Sequence, residues 1–487
     1  MSPRLPRRQT ERRGLRLWPV GIVLVLAFTV AVLVAAAVFY AGWDLLDAHG
    51  LKPERRIDSK TLFDLVKLAF GVVAGAGALV ALVVAYRRQR VDEDGALRDA
   101  TRLHTERFTT AVSQLGNESA AVRLGGVHAL AGLADDAPTR ELRQTCIDVL
   151  CAYLRLPYTA ETDLSANDAE AHHDYLALRE VRHTVIRLIR DHLRLPLEHH
   201  HSWQGHDFDF TGVMFDGGDL SRAVFSGGTV DFSGAEFFGG TVTFMGAVFS
   251  GGEVAFSGAV FSGGTVTFRG ALFSGGAVAF RQARFSGSAV AFSGAVFSGG
   301  GVVFSMGVFS GGRVDFDAAT FSGGTVLFNP AVFSGGTVTF TGAVFSGGTV
   351  RFSGAEFSGG TVHFGMARFS GSTVDFNAAR FSGSTFYFRG AVFSGGMVDF
   401  SGAFSDGAVH FSGATFSDGT VTFSAAVFSG GTVAFNRATS SGALHFSEAT
   451  FSGGTVDFRE ATGTAPRGLI PAAGSSLPDG LILAAAW

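Results

Sequence analysis

Val242–Gly251, VTFMGAVFSG, divides into two five-residue units and is followed by Gly252-Glu253 before the next unit, VAFSG, begins. The pattern therefore returns every twelve residues. Phe stands at Phe225, Phe237, Phe249 and each twelfth position through Phe393, and again at Phe232, Phe244 and each twelfth position through Phe400. Such self-similarity marks a repeat architecture, in which one unit cannot bury its apolar face and neighbours must stack to make a core. Residues two apart in an extended chain share a face, so Val242 points inward with Phe244, and Ala247 with Phe249. Thr243, Val248 and the Ser/Gly pairs fall outside or at corners, where Gly supplies the positive φ that a sharp turn needs. A helix is excluded, because apolar residues spaced alternately seven and five apart fit no 3.6-residue stripe.

The units AVFSG (Ala247–Gly251) and VDFSG (Val230–Gly234) resemble the pentapeptide-repeat family, whose unit centres a Leu or Phe between a small residue and a Ser or Thr. Upstream, Phe210, Phe215, Leu220 and Phe225 keep plain five-residue spacing. The resemblance implies an all-β right-handed quadrilateral β-helix, a solenoid with four five-residue sides per coil, over residues 207–462. The chain departs from the family by two residues added after every second pentapeptide. If four sides still make a coil, a coil takes twice twelve residues; the alternative is a twelve-residue coil. With the longer coil, Phe225 to Phe458 makes about ten coils, a rod of roughly 50 Å at a strand spacing of about 4.8 Å. Phe404 follows Phe400 by four residues and Ser440 replaces an expected Phe, which reads as local bulging.

Residues 1–16 form a basic segment with six Arg. Two apolar stretches follow, 17–40 and 66–86, and their length predicts a two-helix transmembrane hairpin over 17–86. Gly71, Gly75 and Gly77 supply small residues for close helix approach, and Lys67 is placed to snorkel. The flanking Arg residues outweigh the charges of the intervening loop, which predicts a two-pass protein of the cell membrane with both termini cytoplasmic. With these spans the chain resembles a membrane-anchored bacterial type of the family. Residues 96–198 turn to helical periodicity, at Ala121–Pro138, Arg140–Arg155 and Val181–Arg194, and read as a small α-helical adaptor domain. Residues 463–487, rich in Ala, Gly and Pro, read as a cap followed by a loose tail.

Chemistry is sparse. Cys146 and Cys151, five apart on a predicted helix, read as buried thiols and offer no disulfide framework. His199, His200 and His201, with His192 and His206 nearby, form the conspicuous ligand cluster, but no Cys or carboxylate spacing completes a metal site. The SGG corners lack the Asp of calcium-binding solenoid repeats. Thr-x-Thr pairs such as Thr241/Thr243 are too interrupted for an ice-binding array. No nucleophile elbow, phosphate loop or zinc-protease motif is present. The expectation is a protein that is not an enzyme and uses no cofactor.

Outward columns are the better candidates. A 24-residue coil stacks Val248, Leu272, Val296, Val344 and Val392 on one side, with Thr320 and Arg368 interposed, as a partner-facing ribbon. Two classes of function follow. One is a membrane-anchored scaffold or protein-interaction module on the cytoplasmic face, bound to the lipid bilayer through two helices and to an unknown cytoplasmic protein or another copy. The other, known in the family, is DNA mimicry directed at a type II topoisomerase. Between Asp207 and Glu460 there are 17 acids against 11 Arg. That excess is far below a duplex, with about one negative charge per 1.7 Å, which disfavours mimicry. The overall charge of -4 makes nucleic acid an unlikely partner.

Overall fold

The computed structural model describes residues 58–487 other than 162, 163, 166 and 471–475, together with scattered positions between 25 and 44. The chain divides into two units, 1–103 and 104–487.

In the second unit, Phe208 onward forms a parallel β-solenoid whose register settles the coil length. Val248 pairs with Leu272, Leu272 with Val296 and Val296 with Thr320, each step 24 residues. One coil thus contains Val248-Phe249, Glu253–Ala255, Val260-Phe261 and Thr265–Thr267. The first two strands join one 19-stranded sheet and the last two join another, so the four expected sides resolve into two sheets with a Gly pair between the arms of each. The solenoid runs for about eleven turns.

Phe dictates this interior. Along the axis, rings stack nearly parallel on those one coil away, as in Phe249 on Phe273 (4.9 Å, 6°) and Phe244 on Phe268 (4.7 Å, 5°). Across the coil, rings meet edge to face, as in Phe256 against Phe268 (5.8 Å, 84°). Both arrangements suit the ring quadrupole. Val254, Ala259, Val266 and Ala271 fill the remaining space and are buried.

Two kinds of corner close each coil. After Phe256, the Ala259 N–H donates to the Phe256 carbonyl (3.1 Å) over Ser257-Gly258, with Gly258 at φ +68, the geometry of a type II turn. This corner opens to solvent, and Gln282, Met306, Ala318 and Ala378 occupy the same left-handed position. The Gly-pair corner is closed: a Cβ at Gly360 would lie 2.6 Å from the Gly336 carbonyl oxygen one coil below. Where Ser replaces the second Gly, at Ser288, Ser372 and Ser384, its hydroxyl is buried and donates to a carbonyl of the previous coil (2.6, 2.9 and 2.7 Å).

The late irregularities are absorbed by shorter steps. Val392 pairs with Thr415 and Val427 with Thr450, 23 residues apart, and Ser440 takes the place of a ring above Phe416. Beyond Phe458 the chain is not a loose tail throughout. Leu481-Ile482 pairs with Val456-Asp457, and Trp487 lies 5.3 Å from the Phe458 ring while its Nε1 donates to the Gly463 carbonyl (3.0 Å).

Four helices precede the solenoid: α1 Ser59–Leu115, α2 Ala120–Asp135, α3 Arg140–Leu154 and α4 Ala169–Leu193. Thr139 and Asp168 cap α3 and α4 by accepting from the Leu142 and Ala171 N–H groups. Val127, Leu130, Ile147, Leu150, Val185 and Ile189 share one buried core with Trp203 and the first Phe residues of the solenoid. Cys146 and Cys151 are free and buried, and burial pushes their thiols up to about 11 and about 12.

The expected transmembrane hairpin is corrected. Most of 17–40 lies outside the described residues, and 66–86 falls within α1. Among the described residues, no helix is long and apolar enough to cross a membrane. α1 is a 57-residue helix that carries Lys60 and Asp64 before the apolar stretch, Lys67 at its start and Arg87, Arg88, Arg90, Asp92 and Glu93 after it, so that stretch is the interior of a longer, charged helix. The two-pass location in the cell membrane and the two-helix bilayer contact fall with the hairpin.

Candidate interaction surface

The ribbon Val248, Leu272, Val296, Thr320, Val344, Arg368 and Val392 is in continuous register, each residue paired with the next. Its aliphatic members are half-buried rather than fully exposed, because stacked neighbours cover one another's flanks. Val308 and Val332 form part of the equivalent column on the second sheet and are also half-buried. The ribbon by itself therefore does not distinguish one sheet from the other.

Most acids of the strand ends have a local task. Asp231, Asp315, Asp375, Asp399 and Asp457 each accept the backbone N–H two residues on, at 2.7–2.9 Å. Thr243 and Thr267 do the same more weakly (3.2 Å). These are the side-chain turns that Asp and Thr form readily, and they hold the open corner.

One column breaks the pattern. Thr339, His363, Tyr387, His410 and Ala434 are successive partners on the second sheet. His363 stacks on Tyr387 (4.9 Å, 12°) and Tyr387 on His410 (5.2 Å, 16°). This short outer aromatic ladder runs beside the inner Phe columns. Burial, together with Arg313, pulls the His363 imidazole below its ordinary pKa, and burial does the same at His410. Over the adjoining open corner, Met366 is 65% exposed and lies against Gly390.

A second cluster joins the helices to the first coil. Asp216, in FDGGD, occupies the position after Phe that is Ser in most later repeats. It is buried and accepts from Tyr158 Oη (2.5 Å) and Tyr175 Oη (2.9 Å), with His183 Nε2 at 3.1 Å and Arg179 at 3.2 Å. Burial alone would raise its carboxyl, but hydrogen bonds from His183, Tyr158 and Tyr175 outweigh it and bring it down to about 2. Burial and the same carboxylate push the Tyr175 phenol up to about 12. Arg182 donates to the Leu154 and Met214 carbonyls (2.7 Å each) and lies 4.2 Å over the Tyr158 ring.

The His cluster disperses into this joint. His192 meets Asp135 (3.0 Å) and stacks on Trp203 (4.0 Å), whose Nε1 also donates to Asp135 (3.1 Å). His201 is 3.8 Å from the same carboxylate, and Arg143 donates to the His200 carbonyl (2.6 Å). His206 pairs with Gln144 Oε1 (3.0 Å). Burial, then Arg140 and Arg143, lowers the His206 imidazole to about 4. Among the described residues, no group of three or more His, Cys, Asp or Glu is arranged to hold a metal. Sequence reading missed Asp216 and Asp135; the replacement of Ser by Asp216 was the available signal.

With the coil geometry in hand, residues 210–255 match the family model described as pentapeptide repeats (9 copies). This segment carries pentapeptide repeats. No curated protein and no solved structure matches the chain. The matched pentapeptide-repeat segment includes Asp216 and the first member of the aliphatic ribbon, Val248. It ends well before the aromatic ladder.

Proposed function

We propose that the chain is a non-enzymatic scaffold or protein-interaction module built on a variant pentapeptide-repeat solenoid. In this reading the repeats continue past residue 255 with two residues added at each Gly pair, and the half-exposed ribbon Val248, Leu272, Val296, Val344 and Val392 faces a partner. The observation that carries it is the division of labour within a coil. Phe, Val and Ala fill the interior completely, so the solenoid offers its outer columns, not an internal chamber, for recognition. A stiff surface loses little conformational freedom on binding, which favours association. DNA mimicry finds no support in the strand-end acids, since the column that holds Asp231, Asp375 and Asp399 is interrupted by Ala255, Ala279, Val303, Leu327 and Arg351 and forms no continuous anionic stripe.

The test is proximity labelling with the full chain fused to the labelling enzyme, compared with the enzyme alone. A reproducible set of enriched proteins is expected. An identical profile for the two fusions overturns the scaffold reading, and selective enrichment of a topoisomerase replaces it with DNA mimicry.

A further inference from the structure

We propose that the open corner beside the His363–Tyr387–His410 ladder is a docking site for an extended acidic protein segment with an aromatic or aliphatic anchor. This rests on the protein-interaction reading above and assigns it a place on the solenoid and a partner chemistry.

Three observations converge there. Tyr387 is stacked between His363 and His410, so both its faces and the inner faces of the two imidazoles are occupied and the ladder turns ring edges outward for recognition. An aromatic edge is the electropositive part of the ring and suits a carboxylate. Next, the corner carries Arg389, two residues after Tyr387, and leads into Arg368, the cation that interrupts the aliphatic ribbon between Val344 and Val392. Both Arg residues are exposed, and no carboxylate partner is within ion-pairing reach of either among the described residues. Of the acids of the same coils, Asp375 and Asp399 lie at the opposite corner, each capping a turn N–H (2.8 Å), and Asp406 and Glu356 lie at and beyond the Gly-pair corner of the ladder's sheet, away from the open corner. Asp317, the acid that reaches His363 electrostatically, is paired with Arg313 (3.3 Å). The local charge is therefore positive and uncompensated, although the solenoid as a whole is acidic. Finally, Met366 stands exposed on the corner and supplies an adaptable apolar contact between the two cations.

Tyr, Arg and Met are residue types enriched at protein interfaces, and here they meet beside stacked rings, whereas the same corner on earlier coils carries Arg222, Met245 and Arg269 with Thr243 and Thr267 in place of the ladder. Their spacing follows the strand repeat of about 4.8 Å, so the patch is elongated along the axis and fits an extended segment better than a compact ligand.

Fluorescence anisotropy with the full chain tests this, using a labelled synthetic peptide of alternating Glu and Tyr as the probe and its Lys/Tyr counterpart as the comparison. The Glu/Tyr peptide should bind. The double variant Arg368→Glu/Arg389→Glu should weaken it at least about tenfold and gain affinity for the Lys/Tyr peptide. Arg222→Glu/Arg269→Glu, which alters two exposed cations on earlier coils of the same corner, should leave binding unchanged. Equal weakening by the two double variants would show diffuse charge attraction and overturn the site, as would wild-type preference for the Lys/Tyr peptide or no binding of either peptide. Displacement of the Glu/Tyr peptide by single-stranded DNA at lower concentration than by unlabelled peptide would assign the corner to nucleic acid instead. If proximity labelling with Arg368→Glu/Arg389→Glu retains every wild-type partner, the site fails while the scaffold reading stands; if wild type itself labels no partner, the scaffold reading fails.

Discussion

Gly354 and Gly360 both have left-handed backbones, at φ +67 and +76, yet replacing each by Ala should have very different effects. At Gly354 a Cβ meets nothing within 4 Å, and Ala378, at the same corner one coil on, already adopts φ +55. The cost of Gly354→Ala is then the conformational strain alone, about 1–2 kcal/mol. At Gly360 the same strain applies, but the new Cβ falls 2.6 Å from the Gly336 oxygen and 2.8 Å from the Gly335 carbonyl carbon. That oxygen cannot simply withdraw, because it accepts the Thr361 N–H at 3.0 Å. Overpacking adds about 1–3 kcal/mol, and loss of the hydrogen bond about 1. The total is about 3–6 kcal/mol, a difference from Gly354→Ala of roughly 2–4. Hydrogen exchange should register this as a roughly 30-fold or greater loss of protection at the Thr361 and Val362 amides relative to Gly354→Ala. Gly360→Ser carries the same Cβ and should lose protection comparably to Gly360→Ala; Ser384, at the equivalent position one coil on, is accommodated on a backbone that is not left-handed. Equal loss of protection from Gly354→Ala and Gly360→Ala would refute the distinction between open and closed corners.

Phe309 is buried between Phe285 (4.7 Å) and Phe333 (4.6 Å), whereas Val308 is half-exposed. Phe309→Ala should therefore cost about 3–5 kcal/mol locally and Val308→Thr under about 1, read by exchange over the same coil; equal effects would contradict the inward register. His206 is neutral in the fold with its pKa lowered to about 4, so the unfolded chain binds the extra proton first as pH falls below about 6.5. Its contribution is complete above that value and is lost as pH falls toward 4, about 2 kcal/mol between pH 7 and 5. Because Asp135 raises His192 against the effect of burial and acts in the opposite sense, the measurement is the difference in melting midpoint between wild type and His206→Gln, which should narrow on acidification. Trp487→Ala should uncover the Phe458 ring and speed amide exchange at Asp457 and Phe458, while coils near Phe309 keep their protection; an unchanged rate at both amides would show that the indole does not seal the last coil.

The twelve-residue Phe rhythm made the solenoid legible because side-chain period and chain spacing coincide: every Phe that the alternation turned inward is also the residue whose ring must stack on the next coil. Two nearby glycines of one SGG corner look interchangeable on paper, yet they differ from the single Gly of the SGA corner, since only stacking reveals which Cβ would meet a carbonyl. Asp216 was harder to read. It is one acid in a polar run, and its meaning depends on Tyr158, Tyr175 and His183, which arrive from positions 33 to 58 residues earlier. The apolar stretch 66–86 reads as a self-contained span, whereas the helix that contains it is 57 residues long and runs through charged sequence on both sides. The His run at 199–201 was visible, but which acid each ring would approach was not.

By itself, then, the sequence determined what is periodic: strands rather than helix, Phe inside and sharp corners at the Ser/Gly runs, with the coil left at 24 or 12 residues. Only the tertiary structure decided for 24, by pairing Val248 with Leu272, and only it decided what is not periodic. It turned the four sides into two sheets, gathered the buried acids and His residues into the joint between helices and first coil, and set His363 against Tyr387 against His410. The physical reason is range. A repeat encodes contacts between neighbouring coils in every copy, and the copies reinforce one another, whereas a cluster drawn from distant, single positions leaves no regular trace until the chain has folded.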